Sequence, residues 1–187
     1  MTDRAADREA SQKNPGRFGV RGPTGGTCHL VFQLREAAQM RDFEYEAPAS
    51  VDAAVQLLSS HAGASRPLAG GTDLIDQVRT GRLEPDVVID VKKIPDLNVL
   101  ELTGEGLRLG AAVPCYRIYG DDEIAASYGA LADSCRIIGG TQIQSRASVG
   151  GNLCNSGPAA DSIPSLIALA ARVVIAGAGG RREVPAE

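Results

Sequence analysis

Two short stretches of this 187-residue chain carry residue types suited to holding an anion without a cationic side chain. The longer runs Ser148-Val149-Gly150-Gly151-Asn152-Leu153-Cys154-Asn155-Ser156-Gly157-Pro158-Ala159-Ala160-Asp161 and contains no Lys or Arg. The shorter, Leu68-Ala69-Gly70-Gly71-Thr72-Asp73-Leu74, joins an apolar segment to a helix-forming one. Paired glycines let backbone approach a ligand closely and adopt positive φ. Successive peptide N–H groups in such a segment form a nest for an anion. Two of them in one small domain can grip the two ends of one nucleotide, with Asp161 placed to accept hydrogen bonds from ribose hydroxyls. Read for structure alone, each is a surface loop carrying helix-capping residues.

Other chemistries find little support. The chain has no G-x-x-x-x-G-K-[ST] and no G-x-G-x-x-G, which removes the P-loop and the dinucleotide fingerprint of the doubly wound fold. Gly177-Ala178-Gly179-Gly180 lies between two strand-like runs and reads as a turn. His29 and His61 stand far apart, so no Ser–His–Asp or Cys–His set emerges. Cys28, Cys115, Cys135 and Cys154 match no zinc, haem or iron–sulfur spacing and read as reduced thiols; Cys154 sits inside the longer glycine segment as a small residue that fits or as a ligand contact. No metal site is expected. Asp121-Asp122-Glu123 reads as a solvated helix start.

Composition narrows the partners. Residues 1–42 carry seven Lys/Arg and five Asp/Glu, whereas 43–187 carry twelve and eighteen. The acidic body argues against nucleic acid, which needs a cationic footprint. No apolar run is long enough to span a membrane, and Met1–Ala10 is charged with no apolar stretch behind it, so a cytoplasmic chain is expected.

The elements that must position these segments follow in order. Residues 1–39 lack periodicity and are expected to be disordered for the most part, or else to form an arm that docks on a partner. Phe43–Tyr45 predicts a strand, Ser50 an N-cap before a helix from Val51, and Pro67-Leu68-Ala69 a second strand. Asp73–Thr80 predicts a short helix, and Val87–Asp90 a third, central strand. Residues 43–91 thus read as a βαβαβ-like unit. Beyond it come a hairpin across Thr103–Gly106, helices over 112–119 and 124–138, and a polar extended run at Gln142–Ala147. The longer glycine segment then reads as a loop, followed by a helix over Ile163–Ala171 and a last hairpin.

Four sets of residues, in order and at fitting distances, carry a family likeness: Phe43-x-Tyr45-x-x-Pro48, Ala69–Leu74, Pro85-x-x-x-Ile89-Asp90, and Ser148–Asn152 through Asp161. From Met40 to Glu187 the chain resembles the FAD-binding (medium) subunit of molybdenum hydroxylases of the xanthine dehydrogenase and carbon monoxide dehydrogenase type. The resemblance implies an α+β FAD-binding fold of the vanillyl-alcohol oxidase type, with residues 40–93 as a first subdomain and 94–187 as a partial second one. It implies FAD between them. Leu68, Ala69, Gly70, Gly71, Thr72, Asp73 and Leu74 would hold one side of the diphosphate. Ser148, Val149, Gly150, Gly151 and Asn152 would hold the other. Asn155 and Asp161 would lie near the adenosine half. It further implies an oxidoreductase in which no side chain of this chain is catalytic. Electrons would pass from a [2Fe–2S] small subunit through FAD to NAD or another acceptor, with substrate oxidised at a molybdopterin-binding large subunit.

The chain departs from the pattern in three places. Ser148 replaces a usual Thr and keeps the hydroxyl. Ser145 stands where Asn is common. The family continues well past Arg182-Glu183-Val184-Pro185, which leads to the expectation of a truncated second subdomain. The alternative is a remnant that binds no flavin and serves as an interaction scaffold.

Overall fold

The computed structural model describes residues 19–21, 27–29 and 40–187. Strands β1 (Gly19–Arg21) and β2 (Thr27–His29) pair antiparallel. The rest of the segment expected to be disordered, or to dock as an arm, lies outside the described residues. Ala38–Glu187 forms one compact unit of mixed α+β structure.

Its first part alternates strand and helix: β3 (Glu44–Glu46), α1 (Val51–Ser60), β4 (Ser65–Leu68), α2 (Leu74–Arg79) and β5 (Val87–Asp90). The three strands are parallel in the order β3-β5-β4. The apolar Val87-Val88-Ile89 run therefore takes the centre, and every residue of β5 is buried. Pro67, which lacks an N–H, is tolerated because β4 is an edge strand. Ser50 caps α1 by accepting from the Ala53 amide at 3.2 Å. The buried face of α1 then packs Ala54, with Val51, Leu57 and Leu58, on Val87, Ile89 and Ile94.

The second part has its own core. A 3₁₀ turn (Pro95–Leu97) leads into the hairpin β6 (Leu100–Thr103) and β7 (Gly106–Leu109). Five short helices follow: α3 (Cys115–Tyr119), α4 (Asp122–Ser127), α5 (Gly129–Ile137), α6 (Thr141–Gln144) and α7 (Val149–Asn155). Then come α8 (Ser162–Ala168) and the hairpin β8 (Arg172–Gly177) and β9 (Gly180–Pro185). Val113, Ile118, Ile124, Leu131 and Leu166 centre this core, with the free thiols of Cys115 and Cys135 inside it. The helical stretch over 122–137 breaks at Tyr128, whose hydroxyl accepts from the Leu107 amide at 3.0 Å and so ties the helices to the β6–β7 hairpin. Asp121 caps α4 through the amides of Glu123 and Ile124 at 3.1 and 3.0 Å, the helix-start role read from the acidic run. Among the described residues no helix is long and apolar enough to cross a membrane.

Two expectations are corrected. Residues 142–147 are not extended: α6 occupies Thr141–Gln144. The buried Gln144 amide explains it, donating to the Arg136 and Gly139 carbonyls at 2.5 and 3.2 Å and accepting from Tyr119 Oη at 3.0 Å. These bonds satisfy the end of α5 and turn the chain. The longer glycine segment is a loop only over residues 156–161, since α7 (Val149–Asn155) takes its first part. Ser148 accepts from the Gly151 amide at 3.1 Å as N-cap, and Val149 is buried. A cap and a buried apolar residue offset the roughly 1 kcal/mol that each helical glycine costs. The helix ends at Ser156, whose φ of 51° is left-handed.

Candidate functional site

One cavity of about 360 Å³ lies where the first glycine segment meets α7. From the sheet side it is lined by Ala69, Gly70, Gly71, Thr72, Asp73 and Leu74. From the helical side it is lined by Ser148, Gly150, Gly151, Asn152 and Asn155. The two segments singled out in the sequence therefore face a common space. Leu68, Val149 and Asp161 do not line it. Leu68 lies behind the turn, with its Cδ1 placed 2.8 Å from where a Cβ on Gly71 would sit. Val149 belongs to the core. Asp161 is exposed at the start of α8 and makes no capping hydrogen bond with its side chain.

The cavity also draws on residues that the sequence reading did not assign to it. Arg66, Pro67, Gln77, Leu83, Val91, Ala111, Ile138 and Ala147 line it, as does Cys154, whose contact had been left open. One of these had a signal. Cys154 follows Gly151 by three, a helix's same-face spacing that becomes visible only once 149–155 is known to be helical.

The glycines divide by what surrounds them. A Cβ on Gly70 would fall 2.1 Å from the Arg146 carbonyl oxygen, and one on Gly150 would fall 2.5 Å from the Ala111 carbonyl oxygen. These two glycines permit backbone-to-backbone packing between parts of the protein. Gly71 instead takes a φ of 78°, which turns the chain from β4 into α2. At Gly151 a Cβ would meet only Ser148 Oγ, at 3.1 Å, and Ala69 Cβ, at 4.0 Å.

The donors divide in the same way. The amides of Gly70, Gly71 and Thr72 find no protein acceptor among the described residues. On the helical wall Gly151 N–H donates to Ser148 Oγ and Asn152 N–H to Ser148 O, at 3.1 and 2.9 Å. Asn152 Oδ1 accepts from Ser162 Oγ at 2.6 Å and from the Ser162 amide at 3.3 Å, which braces α7 against α8. Asn155 Oδ1 accepts from Gln77 Nε2 at 3.3 Å across the cavity.

Beneath the sheet wall, Asp90 closes β5. Its carboxylate accepts from Tyr45 Oη at 2.5 Å, from the Lys92 amide at 2.9 Å and from Lys92 Nζ at 3.0 Å. Burial opposes its ionisation, but the hydrogen bonds from Tyr45 and Lys92, with the Lys92 charge, outweigh that and hold the carboxyl below its ordinary range. The next residue, Val91, lines the cavity and donates its N–H to Leu68 O at 3.0 Å. The network thus fixes the strand ends from which the first glycine turn departs.

Known proteins share this fold. Over 145 residues the chain is 32% identical to the carbon monoxide dehydrogenase medium chain of Hydrogenophaga pseudoflava, covering 78% of this chain and 50% of that one. It is 32% identical over 146 residues to the nicotinate dehydrogenase FAD-subunit of Eubacterium barkeri, covering 78% and 49%. The crystal structure of quinoline 2-oxidoreductase from Pseudomonas putida 86 superposes with a TM-score of 0.75 at 25% identity, covering 79% of this chain and 52% of that one. The chain spans about half the length of the curated relatives it matches. With residues 41–187 matching its profile, the chain belongs to the family described as the FAD binding domain in molybdopterin dehydrogenase.

Proposed function

We propose that the cavity binds FAD and that the chain is the FAD-binding part of an electron-transferring subunit in a molybdopterin-dependent hydroxylase or dehydrogenase. The observation that carries this reading is the convergence of both glycine segments on one space. The chemistry of the donors fits a diphosphate. The three open amides of Gly70, Gly71 and Thr72 supply a nest on one side. Ser148, Gly150, Gly151 and Asn152 form the facing wall, where the Gly150 amide is also without a protein acceptor among the described residues. Asp161 is assigned to the outer edge of the adenosine half, because it stands outside the cavity lining. Residues 40–93 and 94–187 act as two subdomains around the cofactor, in keeping with two cores, the first of which also takes in Ile94 and Leu97 from just past the boundary.

No side chain at the site acts as acid, base or nucleophile in this reading; the residues bind and orient the cofactor. When bound, FAD supplies the redox chemistry that links a [2Fe–2S] small subunit to NAD or another acceptor, and substrate is oxidised at a molybdopterin-binding large subunit. The names of the relatives, which include a dehydrogenase medium chain and an FAD-subunit, support the FAD part of that assignment.

Purified chain should show a flavin absorbance spectrum, or acquire one on adding FAD, and should release the flavin on heating. Cys154 gives a second readout. It is exposed on the cavity wall, whereas Cys115 and Cys135 are buried. In a Cys28→Ser background, FAD should slow alkylation of Cys154 by iodoacetamide. Colourless protein whose Cys154 reacts at the same rate with and without FAD would overturn the assignment.

A further inference from the structure

The two walls of the cavity meet in two different ways. On one side the contact is backbone on backbone. Gly70 packs so closely on Arg146 and Ala147 that even a methyl group would collide, and Arg146 Nε adds a bond to Gly70 O at 3.3 Å. That side cannot open through a change of side-chain rotamer. On the other side α2 and α7 are joined by a single side-chain hydrogen bond among the described residues, Gln77 Nε2 to Asn155 Oδ1 at 3.3 Å. Both side chains line the cavity, Asn155 is exposed and Gln77 half-buried.

The backbones that carry this bond are held in place. The Gln77 carbonyl accepts from the amides of Arg82 and Leu83 at 2.8 and 3.1 Å, which anchors the end of α2. Asn155 is the last residue of α7, directly before the left-handed Ser156. The bond can therefore break by rotation of two amide side chains, one exposed and one half-buried, with no movement of either helix.

We propose that Gln77 and Asn155 form a latch, which opens to admit the dinucleotide between α2 and α7 and closes again behind it. This rests on the FAD reading and gives Asn155 a role different from direct contact with the adenosine half. A latch lowers the barrier in both directions when it is removed. A ligand contact raises only the rate of release.

The test is stopped-flow FAD uptake and release with the full chain, comparing wild type with Gln77→Ala, Asn155→Ala and the double variant. Circular dichroism checks that each is folded. A neutral hydrogen bond of this kind predicts uptake and release each faster by about two- to tenfold in either single variant. The double variant should be no faster than the singles, and Kd should stay within about twofold of wild type. Gln77→Asn, one methylene too short to reach, should behave as Gln77→Ala does. Unchanged rates in variants that still bind FAD would overturn the latch alone. So would faster release in Asn155→Ala with Gln77→Ala normal, which would return Asn155 to the ligand. A wild-type chain that takes up no FAD would overturn the underlying reading, and it fails before any substitution is made.

Discussion

After β4 the chain turns on Gly70-Gly71 and enters no helix until Leu74; after Ala147 it enters a helix within two residues, and Gly150-Gly151 form its first turn. The same residue pair thus serves a turn with open amides on one wall and, on the other, a capped helix in which Gly151 donates to Ser148 and only Gly150 stays open among the described residues. In both walls the first glycine is the one that other backbone presses against, and the second faces fewer neighbours. The supports also differ. The sheet wall rests on an ionised carboxylate, Asp90, whereas the helical wall is braced by neutral groups, Ser148, Asn152 and Ser162. What reads in sequence as one motif used twice is, physically, one nest and one close-packed helix start.

The largest expected effect tests the shared role of the first glycines. Gly70→Ala and Gly150→Ala should each cost roughly 3 kcal/mol or more in urea unfolding without ligand, because the added methyl meets carbonyl oxygens that cannot move aside. Losses below about 1 kcal/mol would show that the backbones part easily and would break the comparison.

Gly71→Ala comes next. At a φ of 78° a side chain costs about 1–2 kcal/mol, and its close neighbours are side-chain atoms, Leu68 Cδ1 at 2.8 Å and Ile75 Cγ1 at 3.3 Å, rather than backbone. A loss as large as that of Gly70→Ala would mean that the two glycines of the turn share one role.

The difference in support predicts a pH dependence of the sheet wall alone. Asp90 is held below its ordinary value, so its stabilisation is fully present above the usual carboxylate pKa of about 4 and is lost as pH falls through the lower folded value. Asp90→Asn should cost about 1–3 kcal/mol at pH 7 and correspondingly less under acid conditions. Asn152→Ala, on the other wall, should cost a similar amount at pH 7 and at pH 3. Equal acid sensitivity of the two losses would remove the distinction.

The smallest effect is expected at Gly151→Ala. The methyl meets Ser148 Oγ at 3.1 Å, a mild crowding, while alanine gains up to about 1 kcal/mol of helix propensity. Thermal unfolding of the ligand-free variant should stay within about 1 kcal/mol of wild type. A large loss would place Gly151 with the close-packed glycines.

Much of the fold was legible because it depends on local signals. Ser50 before Val51, the apolar Val87-Val88-Ile89 run and the glycine turn at 103–106 each name their element by residue type and spacing. The misread stretch, 142–155, failed for a definite reason. Glycine, asparagine and serine argue for a loop by propensity, and the evidence for helix lies in what they touch: Ser148 Oγ on the Gly151 amide, Gln144 on the end of α5, and Val149 in the core. Of the candidate site, the two glycine pairs could be named in advance, but not which glycine of each pair is packed and which is free.

Residue type and order by themselves determined the parallel βαβαβ unit, its central strand and the two segments that bound the cavity, because hydrophobic periodicity, caps and glycine turns act over a few residues. Tertiary structure alone decided which amides remain open, that Gly70 docks on Arg146, and that Gln77 meets Asn155 across the cavity. Those contacts join residues more than seventy positions apart. Nothing in the local pattern of either partner specifies the other, so only packing of the two cores brings them together.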